Sequence, residues 1–169
     1  MQQDLRTPSP ADVGPQDPDE VLFQERLGPS AAVWAVAALL AALTILVFAP
    51  IDLWMGLAAA AAAFAVEAIV LVASTPRIVV TGRSLQVGRA QIERRHLGAV
   101  RGYCGEDARM QRGPQLHGLA YVCVRGWISP VARIQITDER DTTPYWLTST
   151  RHPEELTEAL GGRMAAEDE

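Results

Sequence analysis

Two long apolar runs with almost nothing between them limit what this chain can become. Ser30 to Ala49 (SAAVWAVAALLAALTILVFA) carries no charge over about 20 residues, and at ~1.5 Å rise per residue such a helix covers a ~30 Å hydrocarbon core. Leu53 to Ala73 follows after only Pro50, Ile51 and Asp52, a connection that suits a helical hairpin. A buried soluble hairpin would pass the same test of length. Two adjacent runs of this length favour a transmembrane pair, with helices over about 30–49 and 53–73.

Charge sets the expected orientation. All 15 basic residues are Arg, and they avoid the apolar block, where only Asp52 and Glu67 are charged. Arg26 precedes the first run, Asp52 alone marks the tip, and Arg77, Arg83 and Arg89 follow the second run closely. An excess of Arg at both open ends places both termini in the cytoplasm and the hairpin in the cell membrane. Trp34 and Trp54 fall near opposite faces of that bilayer. The first residues lack the basic start and apolar run of a cleavable signal, so Cys104 and Cys123 are expected as free thiols.

Beyond Thr75 the pattern changes from helical to short alternating runs. Arg77 to Thr81, Ser84 to Val87, Ala90 to Glu93, Leu97 to Tyr103, Leu119 to Val124, Ala132 to Thr137 and Tyr145 to Ser149 read as seven short antiparallel strands. RHPEELTEAL then predicts a helix, with Pro153 at its first position, Glu154 and Glu155 in the first turn, Leu156 and Leu160 on one face and a stop at Gly161 and Gly162. Seven strands and a terminal helix are the element order of a pleckstrin-homology-like (PH-like) domain. The expected organisation is a Pro-rich acidic tail over 1–22, a juxtamembrane segment and hairpin over 23–75, a small α+β PH-like cytosolic domain over 76–162 and an acidic tail over 163–169.

Four stretches taken together are more specific: FQERL (Phe23 to Leu27), PRIVVTGRSLQVGRAQI (Pro76 to Ile92), RGWISPVARIQITD (Arg125 to Asp138) and TPYWLTSTRHPEEL (Thr143 to Leu156). With them the chain resembles an uncharacterised actinobacterial family of two-span membrane proteins, the domain of unknown function 3093. It departs from that family in having GPSAAVW after FQERL, where members are richer in Trp. The resemblance implies topology and localisation and brings no catalytic residue and no cofactor.

Candidate sites follow from residue type and placement. Arg77, Arg83, Arg89, Arg94 and Arg95 lie within a few strands of the bilayer, where each could attract an anionic lipid headgroup by ~1 kcal/mol. They would stand there equally to fix orientation. Trp127, Tyr145, Trp146 and Arg151 are candidates for a protein-partner surface. Tyr145 and Trp146 must point to opposite faces of one strand, so that one could be exposed, and Arg151 could pair with Glu154 or Glu155.

Glu67 is the polar intruder in the second run. It shares a helix face with Gly56, Ala60 and Ala63, and Ala31, Ala35, Ala38 and Ala42 recur at the same spacing on the first run. These small residues predict a close seam, within one hairpin or between copies, with Glu67 bonded to its surroundings, such as the Trp34 indole. A proton-relay role would call for a second polar group, and only Thr44, towards the other leaflet, is on offer.

Other chemistry finds little support. His96, Cys104, His117 and Cys123 lack the paired spacing of zinc ligands, so no metal is expected. No GxSxG elbow or phosphate loop occurs, so no catalytic residue is expected either. Nucleic acid is disfavoured because acids balance the Arg beyond Arg112 and no aromatic residues interleave with them. The expected function is a membrane-anchored binding or scaffolding module with an unknown protein partner. The alternatives are an anionic-lipid-sensing PH-like domain and an enzyme with an unrecognised site.

Overall fold

The first β-strand comes before the apolar hairpin, and this placement organises the rest of the chain. The structure, a computed structural model, describes residues 19–165, so most of the 1–22 tail and the end of the 163–169 tail lie outside the described residues. Strand β1 (Val21–Arg26) leads into helices α1 (Ala31–Phe48) and α2 (Leu53–Ala73), which are followed by β2 (Arg77–Thr81), β3 (Ser84–Val87) and β4 (Ala90–Glu93). After a single 3-10 turn come β5 (Leu97–Tyr103), α3 (Gly105–Arg112), β6 (Tyr121–Cys123), β7 (Val131–Ile136), β8 (Tyr145–Ser149), α4 (Pro153–Ala159) and β9 (Arg163–Met164).

β1 pairs antiparallel with β2, with Arg26 opposite Arg77, and the Leu27 amide continues the ladder to the Pro76 carbonyl at 3.0 Å. The α1–α2 hairpin is therefore inserted into the connection of a β-hairpin. FQERL, expected as a juxtamembrane segment, is mostly strand. Its inward positions are Phe23, Glu25 and Leu27, and the carboxylate at the middle one breaks the apolar alternation that would mark a strand.

The strands form two sheets, one ordered β1-β2-β3-β4 and the other β6-β8-β7-β5-β9. The expectation of seven antiparallel strands is corrected on both counts: the described residues hold nine, since β1 and β9 are added, and two of the pairings are parallel, β6 with β8 and β9 with β5. Arg163 and Met164, expected in a tail, form β9. The core lies between the sheets: Phe23, Ile78, Val80, Leu85 and Val87 from one face meet Val100, Ala132, Ile134, Ile136 and Trp146 from the other. α4 closes this core with Leu156, which is fully buried, and Leu160 packs partly buried beside it. Gly161 ends the helix at φ 73°, a conformation that favours glycine.

The outer face of the five-stranded sheet carries a second, smaller cluster of Tyr103, Val131, Tyr145 and Leu147, covered by Ala108 of α3. β8 is consequently buried on both faces along its whole length. α3 went unforeseen because eight residues with two inward positions, Ala108 and Gln111, give no apolar period. Its readable signal was electrical: Glu106 and Asp107 in the first turn, Arg109 and Arg112 in the last.

α1 and α2 are each long and apolar enough to cross a membrane, yet only 11% of either window is buried. Gly56 and Ala60 form the buried seam of α2, as the spacing predicted, and a Cβ on Gly56 would approach the Ile45 carbonyl to 3.3 Å. On α1 the seam is Ala37 and Ala41, whereas Ala31, Ala35, Ala38 and Ala42 are exposed. The face is rotated because Trp34 turns inward against Phe64, with ring centroids 6.2 Å apart. No bond from the Trp34 indole to Glu67 forms, and Glu67 Oε2 is buried with no hydrogen-bond partner among the described residues.

A fragment beginning at residue 76 lacks β1 and with it the buried Phe23 and Leu27, together worth roughly 3–6 kcal/mol, comparable with the whole stability of a small domain. Residues 77–165 alone are expected to show no cooperative thermal transition by circular dichroism. Residues 19–28 joined by a short turn to 75–165 are expected to restore one. A cooperative melt from the shorter fragment would contradict the placement of β1.

Candidate functional site

The residues nearest the open ends of the apolar hairpin form the most heavily tied part of the molecule. Glu25 faces inward from β1, only 8% exposed, and its two carboxylate oxygens are taken separately. The Thr150 hydroxyl donates to Oε2 at 2.6 Å and the Arg151 amide to Oε1 at 2.9 Å, while the Arg151 guanidinium stands 3.7 Å from Oε1. Arg151 also donates to the Arg26 carbonyl at 3.1 Å and the Gly28 carbonyl at 2.7 Å. The stretches FQERL and TSTR, more than a hundred residues apart, are thus two halves of one contact.

RGW, residues 125–127, holds both hairpin ends from the other side. The Arg125 guanidinium donates at 2.6 Å to the carbonyl of Ser74, the C-cap of α2, where the helix dipole favours a cation. Two residues on, the Trp127 indole donates at 2.8 Å to the Gly28 carbonyl, just before α1. Arg125 itself is placed by β8, since the Ser149 hydroxyl accepts from its amide at 3.0 Å. The Arg125 Nε–H is buried with no acceptor among the described residues.

Beside this clamp opens a cavity of about 430 Å³ lined by Ala73 to Arg77, Gly88, Arg89 and Tyr121 to Arg125. Three arginines line it, Arg77, Arg89 and Arg125, and no acid among the described residues does. The β2–β3 register explains the grouping: Ile78 pairs with Val87, so Arg77 and Arg89 both lie at the hairpin end of the four-stranded sheet. Cys123 also lines this space. Burial pushes its thiol up, against the opposing pull of Arg125 and a hydrogen bond with Thr148, so it stays a protonated, weakly reactive side chain.

The five Arg expected at headgroups therefore divide. Arg77 and Arg89 stand at the cavity and are exposed. Arg83 and Arg94 lie at the opposite end of the same sheet, ~13 Å away along β2 at ~3.3 Å per residue, with the Arg94 amide bonded to the Arg83 carbonyl. Arg94 is tied into the fold, donating to the Thr81 carbonyl at 3.3 Å and the Ala159 carbonyl at 2.8 Å. Arg95 pairs with Glu93 at 2.9 Å on the exposed surface. Arg125 has no site signal in the sequence, because nothing local to it reports that β6 and the following loop return to the hairpin.

The expected partner surface also divides. Tyr145 and Trp146 do point to opposite faces, but both are buried, at 2% and 5% exposure, because each face of β8 is covered. Trp146 packs against Tyr121 at 5.2 Å, and Tyr145 receives the Arg133 guanidinium over its ring at 4.0 Å. Trp127 is half-buried in the clamp, and Arg151 pairs with Glu25 rather than with Glu154 or Glu155. Among the described residues no three His, Cys, Asp or Glu side chains come together as metal ligands.

Glu25→Ala leaves the buried Thr150 hydroxyl and the Arg151 amide without an acceptor. The expected loss is ~2–4 kcal/mol of unfolding free energy for the β domain, measured by denaturant titration, with Arg151→Ala costing less because Arg151 is exposed on one side. A loss under ~0.5 kcal/mol for Glu25→Ala, typical of a surface substitution, would contradict the geometry.

No curated protein and no solved structure matches the chain. A family model described as "Protein of unknown function (DUF3093)" matches residues 22–160, which take in both halves of the Glu25 contact, the RGW clamp and the two apolar helices. The chain belongs to that family.

Proposed function

We propose that this chain is a membrane-anchored binding module that holds its β domain against the inner leaflet and reads anionic lipid headgroups there. The hairpin crosses the cytoplasmic membrane with both termini in the cytoplasm. Its helices leave Leu39, Leu43, Leu46, Trp54 and Ile69 half or more exposed, which suits lipid and not water. The excess of Arg at the open end supports the orientation.

The observation that carries the reading is the cavity at the exit of α2. Arg77 follows the helix end closely and Arg89 is brought beside it by the β2–β3 pairing, hence both at headgroup depth, and among the described residues no carboxylate lining the cavity competes for them. Guanidiniums hold phosphate oxygens in paired hydrogen bonds and do not exchange protons near neutrality, which favours binding over catalysis. The clamp by Arg125 and Trp127 gives the domain a fixed attitude, so the same Arg meet the bilayer in every molecule. Two sheets enclosing a core with a helix at the open end support a PH-like description, from which the parallel pairs β6–β8 and β5–β9 depart. A scaffolding surface built on Tyr145 and Trp146 is disfavoured by their burial.

The β domain with the hairpin replaced by a short turn is expected to bind vesicles containing phosphatidylglycerol and to ignore neutral phosphatidylcholine vesicles. At ~1 kcal/mol per Arg, Arg77→Gln with Arg89→Gln should weaken that binding by roughly 30-fold, and 0.5 M salt should do much the same. Equal binding to both vesicle types, or no effect of the double substitution, would sink the headgroup reading.

A further inference from the structure

A second basic site lies on the outer face of the five-stranded sheet. Arg101 of β5 is directly opposite Arg133 of β7, and on its other side it is in register with Arg163 of β9. Residues in register share a face, so three guanidiniums stand in a row across three neighbouring strands, spaced by the ~4.8 Å between strands. Like charges opposite one another destabilise a sheet, and a sheet gains nothing by such a row unless something negative lies over it.

Nothing among the described residues neutralises it. Among the described residues Arg101 and Arg163, both exposed, make no side-chain hydrogen bond or ion pair, and the ion pairs found there lie elsewhere. Arg133 is held instead by uncharged groups: its guanidinium lies over the Tyr145 ring at 4.0 Å and Nη1 reaches the Gln111 carboxamide at 3.5 Å. It is positioned and left charged.

The row borders a cavity of about 450 Å³ lined by Arg101, Arg133, Gln115, Gln135, His117 and Tyr145 among others, with no Asp or Glu among the described residues. This size falls in the range of small-molecule sites. His117 Nδ1 accepts from the Leu119 amide at 3.2 Å, which fixes the ring at the edge of the cavity. The Tyr145 hydroxyl pins the 115–117 loop over the sheet by accepting from the His117 amide at 2.7 Å and donating to the Gln115 carbonyl at 3.4 Å. Arg163 extends the basic row into an adjoining cavity of about 540 Å³, whose lining among the described residues holds one acid, Asp107 at the start of α3.

The site does not face the hairpin. β8 runs from Tyr145 at the cavity to Ser149, whose hydroxyl meets Arg125 at the α2 end, so the cavity lies ~13 Å farther out along that strand. A ligand there comes from solution. We propose that this face binds a small soluble molecule carrying a diphosphate group, with its two phosphates on the guanidiniums of Arg101 and Arg133 and the rest of the molecule extending over His117 and the Gln side chains. Two adjacent anionic groups match two guanidiniums on neighbouring strands, where a single carboxylate would leave one of them uncovered.

The test uses the full chain carrying Arg77→Gln and Arg89→Gln, which removes two charges from the cavity at α2, in phosphatidylcholine nanodiscs, with inorganic pyrophosphate as probe and binding read by calorimetry and by the shift in melting temperature. Saturable binding at one site per chain is expected. Adding Arg101→Gln should weaken it at least about tenfold while raising the melting temperature of the free protein at low salt, since it relieves the facing charges. Adding Arg109→Gln instead, on the exposed surface of α3, should leave it unchanged. No saturable binding, unchanged binding with Arg101→Gln, or an equal loss with Arg109→Gln would overturn the proposal. Repeating the titration in phosphatidylglycerol nanodiscs should give the same affinity, and loss of pyrophosphate binding there would assign the face to lipid and overturn the soluble ligand.

Discussion

A carboxylate buried in β1 makes the hairpin end of this protein a single body. Glu25 is removed from water at a cost that only matched donors can offset, and it finds them in the Thr150 hydroxyl and the Arg151 amide and guanidinium. Those donors sit at the corner between β8 and α4. One contact therefore ties the strand that enters the hairpin to β8 of the other sheet and to the helix that closes the core. Arg151 carries the tie onward to the carbonyls of Arg26 and Gly28, so the chain reaches α1 in a fixed direction.

The consequence is mechanical. A domain merely appended after a pair of helices could turn about its linker. Here the hairpin leaves from β1 and returns into β2, adjacent strands whose ends, Arg26 and Arg77, are register partners. Arg125 and Trp127 then bond to the two ends separately. Such a module presents one face to whatever holds the hairpin, with Arg77 and Arg89 on that face, and turns its outer sheet surface with Arg101 and Arg133 away. The two proposed anion sites differ in source for this geometric reason alone.

The parts of this arrangement legible in the sequence are those governed by local period. β2, β3, β4 and β7 show their alternation openly, and the apolar helices announce themselves by length. β1 does not, because Glu25 occupies an inward position and only residues 125 positions away make that tolerable. α3 is too short to show a period, and β9 is two residues whose pairing with β5 is wholly tertiary. Among site residues, Arg77 and Arg89 were findable from their nearness to the second helix. Arg83, Arg94 and Arg95 share that nearness in sequence yet lie at the far end of the sheet, since a strand of five residues carries the chain away. Arg125 and the row of Arg101, Arg133 and Arg163 depend on strand order and register, which spacing along one chain does not encode.

Native-state hydrogen exchange on the full chain tests most directly whether β1 and the β domain are one cooperative unit. The Leu27 amide, bonded to the Pro76 carbonyl, and the β1 amides paired with β2 are expected to exchange only with global unfolding, at the same opening free energy as the amides of β7. Exchange of β1 through a separate, low-energy opening while β7 stays protected would contradict the account. The hairpin would then be tethered to the β domain without being built into it.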